Sequence, residues 1–399
     1  MTSAVNTSPP VPKNAPAFSG EELRRQTRAI CARFPDKYWR ERDLNREYPH
    51  EFVDALTQER LLAALIPAEY GGLGVGISEA AQILEEINRS GGHAAGMHGQ
   101  LYTMGAMLGH GSQEQKDKYL PGLASGELRL QSFSVTEKDA GSETTNIQTR
   151  AEFDGSHWVI SGHKVWTSRI AETDLLLVLA RTEDKPEKKT LGLTLFLVDL
   201  REVEESQAGA IELRKVRTMI NYATNEVFYH GLKVRPDMVV GEVGQGFRYV
   251  LDGLNAERIL LAAEAVGDGY WFTDRAVSYG NNRVVFGRAI TMNQGVQFPI
   301  ADAYMKVRAA DLMRQEAAAL FDAGQPCGAE ANMGLHLAAE ASWEAANVCM
   351  DAHGGFGIVD QYDVERKFRE TRMYQVAPVN KNMIKSFVAT KVLGMPRSY

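Results

Sequence analysis

SFSVTEKDAGS, residues 132–142, is where the pattern of the chain changes. It opens as a strand through Ser132, Phe133 and Ser134, passes Val135 and Thr136, and enters a loop closed by Ala140-Gly141-Ser142. A second stretch, GHKVWTS at 162–168, also ends a strand, on Trp166, Thr167 and Ser168. Strand ends that carry hydroxyls beside an indole suit a flat heterocycle. One ring face can be stacked while hydroxyl and backbone N–H groups meet its polar edge. Taken alone, either stretch serves equally well as ordinary β core leading into a turn.

Outward from these stretches, residues 128 to about 240 run in period-2 and β-branched segments such as DLLLVLART, LGLTLFLVDL and EVFYHGLKV. FDGSHWVISG predicts a hairpin with Asp154-Gly155 in the turn. Before this block, residues 20 to about 127 place apolar side chains at helical spacing in segments that end near Gly or Pro. After it, helices are predicted over 247–279, 297–322, 329–352, 360–374 and 380–393. The expected fold class is therefore α+β and multidomain. It comprises a helical domain at 20–127, a middle antiparallel β-barrel or sandwich at 128–240, and a four-helix-bundle-like domain at 241–399. Residues 1–19, rich in Pro and Ser, are expected to form a disordered tail. No βαβ alternation is present, which argues against a doubly wound nucleotide fold.

Composition excludes several classes. Hydrophobic residues at 44% and charged residues at 24% are ordinary for a globular chain. A net charge of −7 without a basic, aromatic-laced stripe argues against a nucleic-acid partner. The longest apolar run, LLLVLA, is strand-sized and too short for a membrane span. Cys31, Cys327 and Cys349 form no CxxC, so neither a disulfide framework nor a metal site is expected. With no signal or transit pattern at the start, a cytoplasmic protein is the expectation. GGLGVG at 71–76 and GEVGQG at 241–246 lack the order of phosphate loops and read as turns leading into helices.

Two further stretches, NNRVVFGRAITMNQGVQFPIAD (281–302) and DAHGGFG (351–357), complete a set. The set resembles the acyl-CoA dehydrogenase family of flavoproteins, from about residue 20 to 399. VTEKDAGSE looks like that family's VTEPxAGSD, with Lys138 for proline and Glu143 for aspartate; RVVFGRAITMNQGVQF looks like its RxxFGxxIxxxQxxxF. The resemblance implies FAD as cofactor, acyl-CoA as substrate, an electron-transfer flavoprotein as electron acceptor, and a homodimer or homotetramer. By position it places Phe133, Val135, Thr136, Gly141 and Ser142 around the flavin, with Thr136 and the Val135 backbone at the pyrimidine edge. It puts Trp166 over the ring face and the Ser168 hydroxyl at flavin N5. Ser142 also lines the acyl-CoA side. Arg283, Phe286, Gln294, Gly354 and Gly355 would reach the FAD of a neighbouring subunit, a planar guanidinium suiting a diphosphate. Asp351 stands where glutamine is usual, and Asn380 is placed at the cofactor.

Acyl-CoA dehydrogenation needs a carboxylate to take the α-proton while the β-hydride passes to flavin N5. Many members carry this base in a YEGT-like loop. Here RETRMYQVAPVNKN puts Pro378 at the glutamate, Val379 at the glycine and Asn380 at the threonine. The family's second location for the base lies on the long helix after the β domain, as in isovaleryl-type members. In FRYVLDGLNAERILLAAEAVG that position is Glu257, just before Arg258. The apolar face of Leu254, Ile259, Leu260 and Leu261 would partly desolvate it, the setting in which a carboxylate becomes a better base; a solvated helix glutamate is the plainer alternative. Asn255, Arg258, Ser142 and Pro378 are the expected substrate contacts. Pro378 has no N–H where the family holds the thioester oxygen. The helix position of the base is associated with branched or bulky acyl groups. Met97, Leu101 and Met104 form a stripe that suits a pocket floor or plain core. Other readings are a flavin-dependent monooxygenase on the same fold, or a non-catalytic FAD-binding paralogue acting as a scaffold.

Overall fold

Burial along the strands reproduces the sequence pattern. In the computed structural model, which describes residues 19–184 and 187–398, the runs DLLLVLART and LTLFLVD form the two strands buried at nearly every position. In chain order the strands are β1 Ser132–Ser134, β2 Arg150–Phe153, β3 Trp158–Ser168, β4 Leu175–Arg181, β5 Leu193–Asp199, β6 Ile211–Lys215, β7 Thr224–Val234 and β8 Val239–Val240. A separate two-stranded ribbon follows, β9 Val284–Val285 and β10 Arg288–Ala289. The helices are α1 Gly20–Cys31, α2 Asp36–Asn45, α3 His50–Gln58, α4 Ile77–Arg89, α5 Ala95–His110 and α6 Gln113–Ser125. They continue with α7 Leu200–Ser206, α8 Gly246–Asn282, α9 Gln294–Asp322, α10 Gly328–His353, α11 Val364–Thr371 and α12 Lys381–Phe387. The described chain forms two compact units, one of residues 53–75 and 95–254, the other of 19–52, 76–94 and 255–398.

The first unit is built on one sheet in the order β6-β7-β3-β2-β4-β5-β8. Its core holds Ile160, Leu176, Leu177, Phe196 and Val227, all without exposed surface. The hairpin at FDGSHWVISG is present, with Phe153 opposite Trp158. Asp154 Oδ1 accepts the N–H groups of Ser156 and His157, each at 2.8 Å, and Gly155 takes φ +100°. The sheet is not wholly antiparallel, which corrects the expectation. β1 pairs with β4 in parallel at Ser132–Leu176, and β2 joins the same strand in parallel at Arg150–Arg181. The reason is topological. β1 and β2 follow one edge of β4 in the same direction, and residues 135–149 leave that edge as an excursion. The stretch that marks the change of pattern is this excursion.

In the second unit, α9 and α10 approach closely through small residues. Ala303, Ala310, Ala338, Ala345 and Ala346 are buried with Leu261, Phe272 and Leu335. Gly334 faces the Arg314 backbone closely, since a Cβ built on it would lie 3.4 Å from the Arg314 Cα. Ser19 belongs to the fold, because its hydroxyl accepts the Glu22 N–H at 3.2 Å and caps α1. The rest of the expected tail lies outside the described residues. The helix expected over 360–374 is broken: Asp363 sits at φ +60° and only Val364–Thr371 is α-helical, with 3₁₀ turns on both sides. The helix expected over 380–393 is α-helical through Phe387 and then widens into a π turn at Val388–Val392. Among the described residues no helix is long and apolar enough to cross a membrane.

Candidate functional site

In the first unit the two hydroxyl-bearing strand ends lie side by side. Ser132 Oγ donates to the Ser168 carbonyl at 2.9 Å, and the Ser134 and Thr167 hydroxyls are 3.1 Å apart. Tyr229, from β7, donates its hydroxyl to Ser134 at 2.8 Å. The Val165 N–H reaches the Thr136 carbonyl at 2.9 Å, which fixes the start of the 135–149 excursion against β3. The pairing of β3 with β7 slips between Lys164 and Thr167. At that bulge Trp166 adopts φ +62° and leaves its indole 60% exposed. A tryptophan in the left-handed region costs about 1–3 kcal/mol, sustained only because the flanking pairs are fixed. Ser168 Oγ lies 3.0 Å from the Thr224 hydroxyl and is half-buried, as are Phe133, Val135 and Thr136. Ser142 and Gly141 are exposed on the loop.

An ion pair holds this arrangement from inside. Lys164 is fully buried, donates to the Val135 carbonyl at 2.7 Å, and lies 2.9 Å from the Glu137 carboxylate. Glu137 also accepts the N–H groups of Gln148 at 2.6 Å and Thr149 at 2.9 Å. Burial brings the Lys164 ammonium down to about 8, with Glu137 opposing. Burial works against the Glu137 charge too, but Lys164 and the backbone donors outweigh it and hold the carboxyl below its ordinary range. Sequence reading did not find this pair. The only signal was a lysine at an inward position of a strand.

In the second unit Glu257 is half-buried on α8, followed on the helix by Ile259, Leu260 and Leu261, all buried. Arg258 Nη1 donates to Asn255 Oδ1 at 3.0 Å. Burial lowers the Arg258 pKa, and the neighbouring Glu257 carboxylate opposes the shift. A Cβ on Gly328 would lie 4.0 Å from both the Asn255 carboxamide and the Phe387 ring, so α8, α10 and α12 converge there. Pro378 is half-buried in a segment, Val376 to Val379, that offers no ionisable group. Asn380 has a defined local role, since its Oδ1 accepts the N–H groups of Asn382 and Met383, each at 3.1 Å, and caps α12. Tyr374, at the head of the same segment, donates to Glu264 on α8 at 3.3 Å.

The remaining expected residues of this unit form an outward-facing group. Phe286 and Gly287 take φ +52° and +80°, the signature of a type I′ turn, and Phe286 is 99% exposed at the tip of the β9–β10 ribbon. The Arg283 guanidinium sits 5.6 Å from the Phe356 ring centroid, which places it beside Gly354 and Gly355. Added Cβ atoms at Gly354 and Gly355 would meet nothing within 4 Å. Gln294 and Asp351 are exposed. Among the described residues no group of histidine, cysteine and acidic side chains is arranged to hold a metal.

Three domain families cover the chain. Those described as the N-terminal, middle and C-terminal domains of acyl-CoA dehydrogenase match residues 19–127, 132–229 and 244–393. The chain is 35% identical over 390 residues to the acyl-CoA dehydrogenase fadE12 of Mycobacterium bovis, covering 96% of this chain and 99% of that one. It is 32% identical over 356 residues to the 3-(aryl)acrylate reductase of Clostridium sporogenes, covering 88% and 92%. Among solved structures, the glutaryl-coenzyme A dehydrogenase–glutaryl-CoA complex superposes with a TM-score of 0.88 at 29% identity, covering 97% and 98%.

Proposed function

We propose, since this chain belongs to the acyl-CoA dehydrogenase family, that it dehydrogenates an acyl-CoA thioester with Glu257 as the base. The protein is an oxidoreductase and its cofactor is FAD. The observation that carries the assignment of the base is the contrast between two segments. Val376–Val379 offers no proton acceptor, whereas Glu257 stands half-buried beside three buried apolar residues of α8.

The exposed Trp166 indole, next to the Thr136 and Ser168 hydroxyls, fits the flat ring of the cofactor. When bound, FAD accepts the β-hydride. Glu257 takes the α-proton onto its carboxylate, the contribution expected of a positioned base being on the order of 10²–10⁴-fold. Arg258 and Asn255, joined by their hydrogen bond, keep the helix polar at that point. Ser142 is assigned to the acyl-CoA side. Arg283, Phe286, Gln294, Asp351, Gly354 and Gly355, all exposed, are assigned to FAD of a neighbouring copy, making the working form a homodimer or homotetramer. Asn380 is assigned near the cofactor through its position at the head of α12. An electron-transfer flavoprotein in the cytoplasm would take the electrons, and branched or bulky acyl groups are the preferred substrates.

The test is anaerobic titration of the flavin-loaded protein with short, branched, cyclic, aryl-substituted and long acyl-CoAs. Bleaching of the oxidised flavin band by at least one class supports the proposal. Absence of bleaching across the whole panel would refute it.

A further inference from the structure

Arg169 follows Ser168 directly and is 6% exposed, yet its charge is left uncompensated. Its backbone is fixed: φ is +60°, its N–H donates to the Ala223 carbonyl at 2.9 Å, and its carbonyl accepts the Glu172 N–H at 3.0 Å. The side chain runs back across the start of β1, where Nε donates to the Gln131 carbonyl at a long 3.3 Å. The guanidinium then lies against α5 at Gly99. A Cβ at residue 99 would come within 2.8 Å of Nε, 2.9 Å of Nη2 and 2.8 Å of the Gln131 carbonyl oxygen, so glycine admits both the arginine and the backbone that leads into β1. Tyr222 flanks it with its ring centroid 6.0 Å from Cζ. Nη1 is buried and makes no hydrogen bond. Among the described residues no carboxylate lies within ion-pair distance of it.

A guanidinium does not escape the cost of burial by losing its proton. A buried, unpaired arginine is therefore strongly unfavourable unless a ligand brings the missing negative charge. The matching chemistry is a carboxylate, whose two oxygens fit the planar fork. The position is informative as well. Ser168 is the residue assigned to the reacting edge of the flavin, and Arg169 is the next residue of the chain. With Ser168 assigned to the flavin edge, the anion held by Arg169 is taken to be part of the acyl chain and not of the CoA moiety.

We propose that Arg169 is a carboxylate-binding residue that selects short acyl-CoA thioesters carrying a second, terminal carboxylate. The inference rests on the acyl-CoA reading above and puts short anionic chains in place of branched or bulky ones as the preferred substrates.

The experiment is anaerobic isothermal titration of the flavin-loaded protein with butyryl-CoA, succinyl-CoA and glutaryl-CoA, reading affinity and not turnover. The wild type should bind at least one dicarboxylyl thioester about 30-fold or more tightly than butyryl-CoA, and Arg169→Met should abolish that preference while keeping butyryl-CoA affinity. Arg169→Lys, which retains the charge but not the planar fork, should weaken the preference in the same direction. It serves if Arg169→Met fails to fold. Equal affinity for all three thioesters in the wild type would overturn the proposal and leave the acyl-CoA reading intact. A preference that survives both substitutions would also overturn it. Failure to bind any of the three, in protein whose flavin is bleached by another acyl-CoA, would overturn this proposal alone.

Discussion

The Lys164 ammonium lies 2.9 Å from the Glu137 carboxylate, with both side chains buried behind the strand ends that carry Thr136 and Ser168. The pair ties β3 to the start of the 135–149 excursion, because Lys164 also donates to the Val135 carbonyl. Removing one partner strands the other charge in the interior, which typically costs about 3–5 kcal/mol. Lys164→Met and Glu137→Gln are each expected to lower stability by that order and to release FAD more readily. Urea unfolding followed by tryptophan fluorescence, with flavin fluorescence as a second probe, reads both effects. A variant as stable as the wild type would show that the pair does not hold the excursion.

Trp166 should behave in the opposite way. Its indole is 60% exposed, so Trp166→Ala is expected to leave urea stability nearly unchanged. Loss of an aromatic cover should weaken FAD binding by roughly 10- to 100-fold. Equilibrium dialysis of FAD against both proteins decides the matter. Unchanged affinity would remove Trp166 from the cofactor site.

The acid limb of stability should depend on Glu370. This buried carboxylate lies 2.9 Å from Arg366 Nη1 and 3.2 Å from Lys367 Nζ. Burial opposes its charge, but the two cations prevail and hold it down to about 2, against an ordinary 4.5. Its folded pKa is depressed, so its stabilisation is fully present above about 4.5 and is lost as pH falls from there towards 2. Glu370→Gln should be destabilised at neutral pH and show a flatter decline across that acid window. Denaturation midpoints measured from pH 7 to pH 3 test this. Parallel curves for the two proteins would contradict it.

Pro378 removes a backbone donor at the position assigned to the thioester oxygen. Pro378→Ala returns an N–H there and is expected to speed anaerobic flavin bleaching by about tenfold or more, with little change in thioester affinity. Stopped-flow absorbance measures the rate. An unchanged or lower rate would mean that another donor holds the oxygen.

Much of this organisation was legible in the chain. β4 and β5 announce themselves as continuous apolar runs, and the hairpin turn is spelled by Asp154-Gly155, because local physics fixes both. The parallel pairing of β1 and β2 with β4 was not legible, since it depends on where an excursion returns and not on any local period. Asp363 broke a helix that the spacing of apolar residues had joined, through a left-handed backbone that no composition signal marked. Trp166, Thr136 and Ser168 stood out by residue type at strand ends. Arg169 did not, since it reads as an ordinary surface cation until burial is known, and Lys164 was marked only by its inward position on β3. Asn380 shows the reverse limit, since its capping of α12 is a local function that a family motif does not reveal.

If the Glu257 carboxylate takes the α-proton, the α-hydrogen of a bound acyl-CoA must exchange with solvent through it. The most direct measurement is therefore exchange of that hydrogen with deuterium from D₂O, followed by mass spectrometry, in wild type and in Glu257→Gln. Exchange is expected in the wild type, with a loss of at least about 100-fold in the variant and thioester binding retained. Exchange at the wild-type rate in Glu257→Gln would place the base elsewhere and contradict the assignment.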